Sequence, residues 1–196
     1  ALPYQSLNPV SNNIRMDSTM HSVMITIEVD FDNPVSQDFY NKIIFSLNLS
    51  QIPCTCGLAG SLIWYGGYHR KVRMADHIIL LRVARVFCTA CGHTHALLLS
   101  SLVPYSQIPL PVQASVADCY EKKSGYHSIL NSQSCIDENT ISSIIRSYRK
   151  HWQQRIRSHN LSFAMLHNLI RGCFASFSRP FMQIKTTRNK IFLSPT

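Results

Sequence analysis

Two close cysteine pairs, Cys54-Thr55-Cys56-Gly57 and Cys88-Thr89-Ala90-Cys91-Gly92, carry the clearest chemistry in this sequence. A structural Zn2+ is closed in by four thiolate or imidazole ligands at tetrahedral corners. Two pairs separated by a hairpin-length insert can bring four thiolates to one such ion, which is the pattern of a zinc ribbon. Glycine after each pair lets the backbone turn tightly and bring N–H groups near sulfur. Cys54, Cys56, Cys88 and Cys91 are therefore the expected ligands of a structural Zn2+. The second pair has the favoured two-residue spacer, whereas the first has one residue, so four buried or free thiols stand as the alternative. His93 and His95 adjoin the second pair and are substitute ligands, although such histidines more often pack or hydrogen-bond. Cys119, Cys135 and Cys173 have no partner near in sequence and read as packing residues. Seven cysteines, an odd number, fit a reducing compartment and a metal site better than a disulfide framework.

Charge is the second chemical signal. The chain of 196 residues has a formal net charge of +9 and a pI near 9.4, which suits a polyanionic partner, with nucleic acid preferred over an anionic membrane. The imbalance is concentrated: the 58 residues after Glu138 hold ten Lys and Arg and no acidic side chain. Such a surface cannot neutralise itself internally. No run approaches the ~18 consecutive apolar residues of a membrane span. An intracellular, cytoplasmic protein is expected.

The elements that must position these groups give an α+β chain. Residues 1–23 lack periodicity and are expected to be unstructured or a non-native extension, with Met24 as the natural start. Met24 to Phe31 nearly alternates and predicts a strand; Ser36 predicts the N-cap of a helix to Leu49. A zinc-ribbon unit is expected over 50–105. Within it Ser61–Tyr68 and His77–Phe87 predict the strands of a hairpin, joined by residues 69–76. Gly66-Gly67 predicts a bulge or a close backbone approach, and Thr94–Leu99 continues as an apolar run. Over 106–178 the pattern is helical. Pro111 suits a first turn, Val112, Val116, Cys119 and Tyr120 share a face, and a short helix spans Tyr126–Leu130. Asp137 then caps a longer helix striped with Ile141, Ile144, Ile145, Tyr148 and Trp152. A last helix is expected from Leu161 to about Phe177, followed by a basic tail over 179–196.

Helix, short helix, turn and longer helix have the proportions of a helix-turn-helix unit, which sets its last helix in the major groove. Asn139, Thr140, Ser143 and Arg146 would then read base edges, and Arg149, Lys150 and Arg155 would hold phosphates. Arg70, Lys71 and Arg73 of the hairpin add secondary phosphate contacts. The bland alternative is an amphipathic helix with a solvated polar face. Catalysis is not expected: metal-dependent nuclease or strand-transfer chemistry needs several converging carboxylates, and the few present stop at Glu138.

Ile52-Pro53-Cys54-Thr55-Cys56-Gly57, Gly67-Tyr68-His69-Arg70, the run from Arg85 to Leu98, Leu102-Val103-Pro104-Tyr105-Ser106-Gln107-Ile108 and Phe181-Met182-Gln183-Ile184 together resemble a family of small uncharacterised bacterial proteins associated with mobile elements. That family is similar to the zinc-ribbon and helix-turn-helix front portion of a transposase without its catalytic domain. The resemblance covers roughly Met24 to the C-terminus, and it implies DNA binding by analogy and supplies no reaction. The expectation is thus a zinc-stabilised, non-enzymatic DNA-binding protein. The alternatives are an accessory module docking on a transposase or another protein, and an inert transposase remnant. Target site and oligomeric state are not legible.

Overall fold

The computed structural model describes residues 23–31, 33–74, 76–132, 136–183 and 191–193. It is a mixed α+β structure built around a five-stranded sheet. In chain order the elements are β1 (Val23–Ile27), α1 (Gln37–Ser46), β2 (Leu62–Arg73), β3 (Ile78–Cys88), β4 (Thr94–Leu99), α2 (Leu110–Glu121), α3 (Tyr126–Ser132), α4 (Glu138–His151), α5 (Gln153–Ser158), α6 (Leu166–Phe177) and β5 (Ile191–Leu193).

The sheet runs β2-β3-β4-β1-β5. β2, β3 and β4 form an antiparallel meander, while β1 is parallel to both β4 and β5. A strand from the first segment and one from the tail therefore complete the sheet to which the cysteine-flanked hairpin belongs. Ile25, Val83, Val86, Leu97, Leu98 and Leu99 are fully buried in one core together with Tyr40 and Ile44 of α1. Burying each such aliphatic side chain is worth about 1.5–3 kcal/mol. Ser36 caps α1 by accepting from the Phe39 N–H at 3.1 Å, a contact worth ~1 kcal/mol.

β2 is longer than its hydrophobic pattern suggested. It continues through Arg70, Lys71 and Arg73, which were expected in the connecting loop, and the reversal is confined to the residues around Asp76. Backbone pairing to β3 keeps this polar stretch extended: Arg70 is opposite Leu81 and Val72 opposite Ile79. The expected irregularity at the glycines is present in both forms. Register shifts between Trp64 and Gly66, and a Cβ at Gly67 would stand 2.6 Å from the Val83 carbonyl oxygen.

The helices form a second core around Trp152, Tyr148 and Phe181, whose rings meet edge to face, with Leu169, Ile170 and Cys173 from α6. Asp137 caps α4 by accepting from the Thr140 N–H at 2.7 Å. Ile141, Ile144, Tyr148 and Trp152 are buried as the stripe predicts, with Ile145 half-buried. In α2 Val116 is buried and Val112, Cys119 and Tyr120 pack half-buried against the same core, as the spacing predicts, while Leu110, Gln113, Ala114 and Ala117 are buried as well; Gln113 is tolerated inside because its amide donates to Ile108 O at 2.9 Å. Two helical features differ from expectation. Helix α5 follows α4 after the Trp152 junction and was not foreseen, its single buried residue Ile156 giving no periodic signal. The last helix starts at Leu166 instead of Leu161; residues 161–165 make a loop in which the Ser162 hydroxyl accepts from Ala164 N–H, and Met165 is the N-cap.

The two cores are joined through a charge. Glu28, 2% exposed at the end of β1, accepts from Arg171 Nε of α6 at 2.7 Å and lies 3.0 Å from His167 Nε2. Among the described residues no helix is long and apolar enough to cross a membrane. Cys135 and most of the basic tail expected over 179–196, residues 184–190 and 194–196, lie outside the described residues, as do residues 1–22.

Candidate metal centre and basic helix

Cys54 and Cys56 lie in the turn that leads towards β2, and Cys88 and Cys91 bracket the turn from β3 to β4. Antiparallel pairing sets Leu62 opposite Cys88 and thereby brings the two turns together. Each turn is a backbone knuckle. Gly57 N–H donates to Cys54 O at 2.8 Å, and Gly92 N–H to Cys88 O at 2.9 Å. Gly57 and Gly92 take φ of +91° and +73°, which only glycine adopts without strain.

The four thiols consequently converge, with ligand atoms all within 4.8 Å of one another. Cys54 Sγ is 3.6 Å from Cys91 Sγ, and Cys56 Sγ is 3.9 Å from Cys88 Sγ. A tetrahedron with metal–sulfur bonds of about 2.3 Å has edges of about 3.8 Å, so these separations suit one metal ion and are far too long for disulfides. The Cys54–Cys56–Cys88–Cys91 cluster can hold a metal, and its all-sulfur donor set is compatible with zinc.

The surroundings stabilise negative sulfur unevenly. Burial opposes ionisation of Cys88, but the Ser61 hydroxyl and the backbone N–H groups of Cys91 and Ala90 bring its thiol down to about 6. Burial and the neighbouring sulfurs of Cys88 and Cys54 push Cys91 up to about 12. Burial likewise raises Cys54. These surroundings favour a thiolate at Cys88 and oppose one at Cys91 and Cys54, and a divalent cation at the centre is what would favour thiolates at all four. His95 is fully buried with Nε2 3.3 Å from Cys54 Sγ, and His93 Nδ1 is 3.3 Å from Cys91 Sγ. The two imidazoles therefore flank the sulfurs from outside, where metal sites place groups that orient and charge-balance their ligands. Ser61, 3.2 Å from Cys88 Sγ, was missed by sequence reasoning; only its place one residue before β2, paired by its carbonyl to Thr89 N–H, brings it there.

The basic residues sort into two groups. On α4, Asn139, Ser143, Arg146, Arg149 and Lys150 are exposed, and Thr140 is half-buried with its N–H occupied by Asp137. Arg146, Arg149 and Lys150 share with Ser142, Ile145 and Gln153 a shallow groove of about 570 Å3. Gln153, on α5, is an addition that the α4 pattern alone did not indicate. Burial first, and then the charges of Lys150, Arg155 and Arg179, lower the pKa of His151, so these cations converge at the C-terminal end of α4. Arg155 lies over the rings of Trp152 and Phe177 at 5.8 and 5.5 Å. The hairpin group does not join them: Arg70 is half-buried and donates to the carbonyls of Val103 and Ser106, Arg73 Nε donates to Gln107 Oε1 at 3.3 Å, and Lys71 is exposed on the edge strand. Comparison with protein-family models, with curated proteins and with solved structures found no match to the chain.

Proposed function

We propose that this chain is a zinc-stabilised, non-catalytic DNA-binding protein of mobile-element kinship. In it, α4 meets duplex DNA and the four-cysteine Zn2+ fastens the sheet. The observation that carries the reading is the exposed run Arg146, Arg149 and Lys150 on α4, set opposite the buried Ile141, Ile144, Tyr148 and Trp152 and next to Arg155 and Arg179, with no acidic side chain after Glu138. Placed as the last helix of a helix-turn-helix, α4 offers Asn139, Ser143 and Arg146 to base edges, while Arg149, Lys150 and Arg155 take phosphates. Thr140, half-buried, contributes less than its position in sequence suggests. Transposase-like kinship rests on the cysteine and loop motifs alone, and the ion's role is structural.

Salt tests the reading. Three phosphate contacts give a slope of about −2.7 in log affinity against log salt, so duplex affinity falls by about fortyfold between ~50 and ~200 mM. Arg149→Ala weakens all sequences alike, and Arg146→Ala relaxes sequence preference. Absent or salt-insensitive duplex binding overturns the reading in favour of an accessory module that docks on protein.

A further inference from the structure

On the sheet face where Gly66, Arg85, Ala96 and Met24 form one row across β2, β3, β4 and β1, two small residues leave a trough beside the Arg85 side chain. On one flank Tyr65 packs over Phe87, ring centroids 5.6 Å apart. On the other, the loop of residues 103–107 closes the trough into a cavity of about 370 Å3 lined by Tyr68, Lys71, Arg85, Tyr105, Ser106 and Gln107, among others, and by no acidic side chain. Its size falls within the ~300–1,000 Å3 of small-ligand sites.

Tyr105 is the unusual member. It adopts φ of +62°, a left-handed conformation that bulky residues avoid, and yet its ring is 67% exposed. The strain is imposed from both sides, because Arg70 donates to the carbonyls of Val103 and Ser106, and Arg73 N–H donates to Gln107 O at 2.9 Å. An arginine placed by sequence among the phosphate contacts thus serves as a clamp that presents a solvent-facing aromatic ring over a cationic trough. Strain held in place in this way is a mark of a working surface.

Flat rings beside three cations, of which Arg70 is committed to the loop, and no anion recognise a ligand with an accessible π face and a negative charge. Stacked bases inside a duplex do not offer their faces; an unpaired nucleotide does. We propose that this trough binds single-stranded nucleic acid, one base stacking on Tyr105 and Tyr68 and its phosphate meeting Arg85 and Lys71. The Tyr65–Phe87 pair extends the path for the next base. The site goes beyond the duplex reading of α4 and adjoins that helix, since Tyr105 and Ser106 also line a cavity with Ser143 and Ser147.

Fluorescence anisotropy of the full chain with a labelled twelve-residue oligothymidine and a labelled blunt duplex tests it. Wild-type protein binds the oligothymidine. Tyr105→Ala lowers that affinity about five- to hundredfold with melting temperature and duplex affinity unchanged, and Tyr105→Phe restores it. Lys71→Ala, a change on the exposed edge, reduces the salt slope for the single strand by about 0.7. Absence of oligothymidine binding at low salt, or binding that Tyr105→Ala and Lys71→Ala both leave intact, overturns the proposal. So does single-strand binding abolished by Arg149→Ala alone, which would place the strand on α4. Oligothymidine binding that depends on Tyr105 in a protein with no duplex affinity supports the trough and overturns the duplex reading instead.

Discussion

Tyr40 Oη donates to the Leu97 carbonyl oxygen and accepts from the Ala84 N–H, both at 2.8 Å. The last pair between β3 and β4 is Arg85 with Ala96. One residue beyond it, where the strands part, a phenol from α1 stands between the two backbones. Tyr40→Phe leaves the shape of the side chain intact but deprives the buried Leu97 carbonyl and the part-buried Ala84 N–H of this partner. A loss of about 2–4 kcal/mol is expected from two such groups, read as a lower urea midpoint at unchanged m-value. A change below about 0.5 kcal/mol would show that water takes over both bonds.

The four-cysteine centre predicts one equivalent of zinc in purified protein. Removal by chelator, or Cys88→Ser, is expected to unfold the sheet half, because apparent zinc-binding energies of about 10–16 kcal/mol in small metal domains match or exceed ordinary domain stability. His95→Ala, which removes the imidazole against Cys54, weakens metal affinity about ten- to hundredfold without changing the stoichiometry. Metal analysis and far-ultraviolet circular dichroism on the same samples decide both points; zinc-free protein with native melting would remove the centre from the account.

Glu121 predicts an acid limb to stability. Burial raises its pKa, but hydrogen bonds from Gln153 and Arg157 outweigh this and leave it below the usual carboxylate value. A depressed folded-state pKa adds stability that is present above the unfolded value of about 4.3 and is lost as pH falls through the folded value. Glu121→Gln should therefore cost about 0.5–1 kcal/mol at neutral pH, with Arg157 exposed, and the difference from wild type should vanish in acid. A pH-independent difference would assign the effect to packing.

Gly67 predicts an intolerant position. A methyl there meets the Val83 carbonyl oxygen at 2.6 Å, and that oxygen belongs to the strand backbone and cannot swing aside. Gly67→Ala is expected to destabilise by about 1–3 kcal/mol. At Gly125, where a Cβ would meet nothing within 4 Å, the same change should shift the midpoint far less.

Local signals carried much of this structure into the sequence. Ser36 and Asp137 cap the helices that they were expected to cap, the glycine pair marks the irregular strand, and the Ile141–Trp152 stripe is the buried face of α4. The cysteine spacing located the metal-competent cluster, its one-residue first spacer accommodated by the Gly57 knuckle. Pairings over long separations were illegible. Nothing local in Met24–Ile27 announces a parallel neighbour at Ala96 or another at Phe192, and nothing in Arg70 announces that its guanidinium turns inward to a loop more than thirty residues away. Charge counting locates cations but does not tell a clamp from a contact surface; α5, too short for a period, left no trace.

The parallel insertion of β1 between β4 and β5 has a consequence in time. Ile25 pairs with Leu97 on one side and Ile191 on the other, so β1 finds its second neighbour only after every residue up to Ile191 has been synthesised. Contacts of such sequence separation slow folding and leave an open sheet edge exposed meanwhile. The meander of β2, β3 and β4, drawn together by the cysteines, has only local closures to make. It is expected to form early and to serve as the template on which β1 waits for β5.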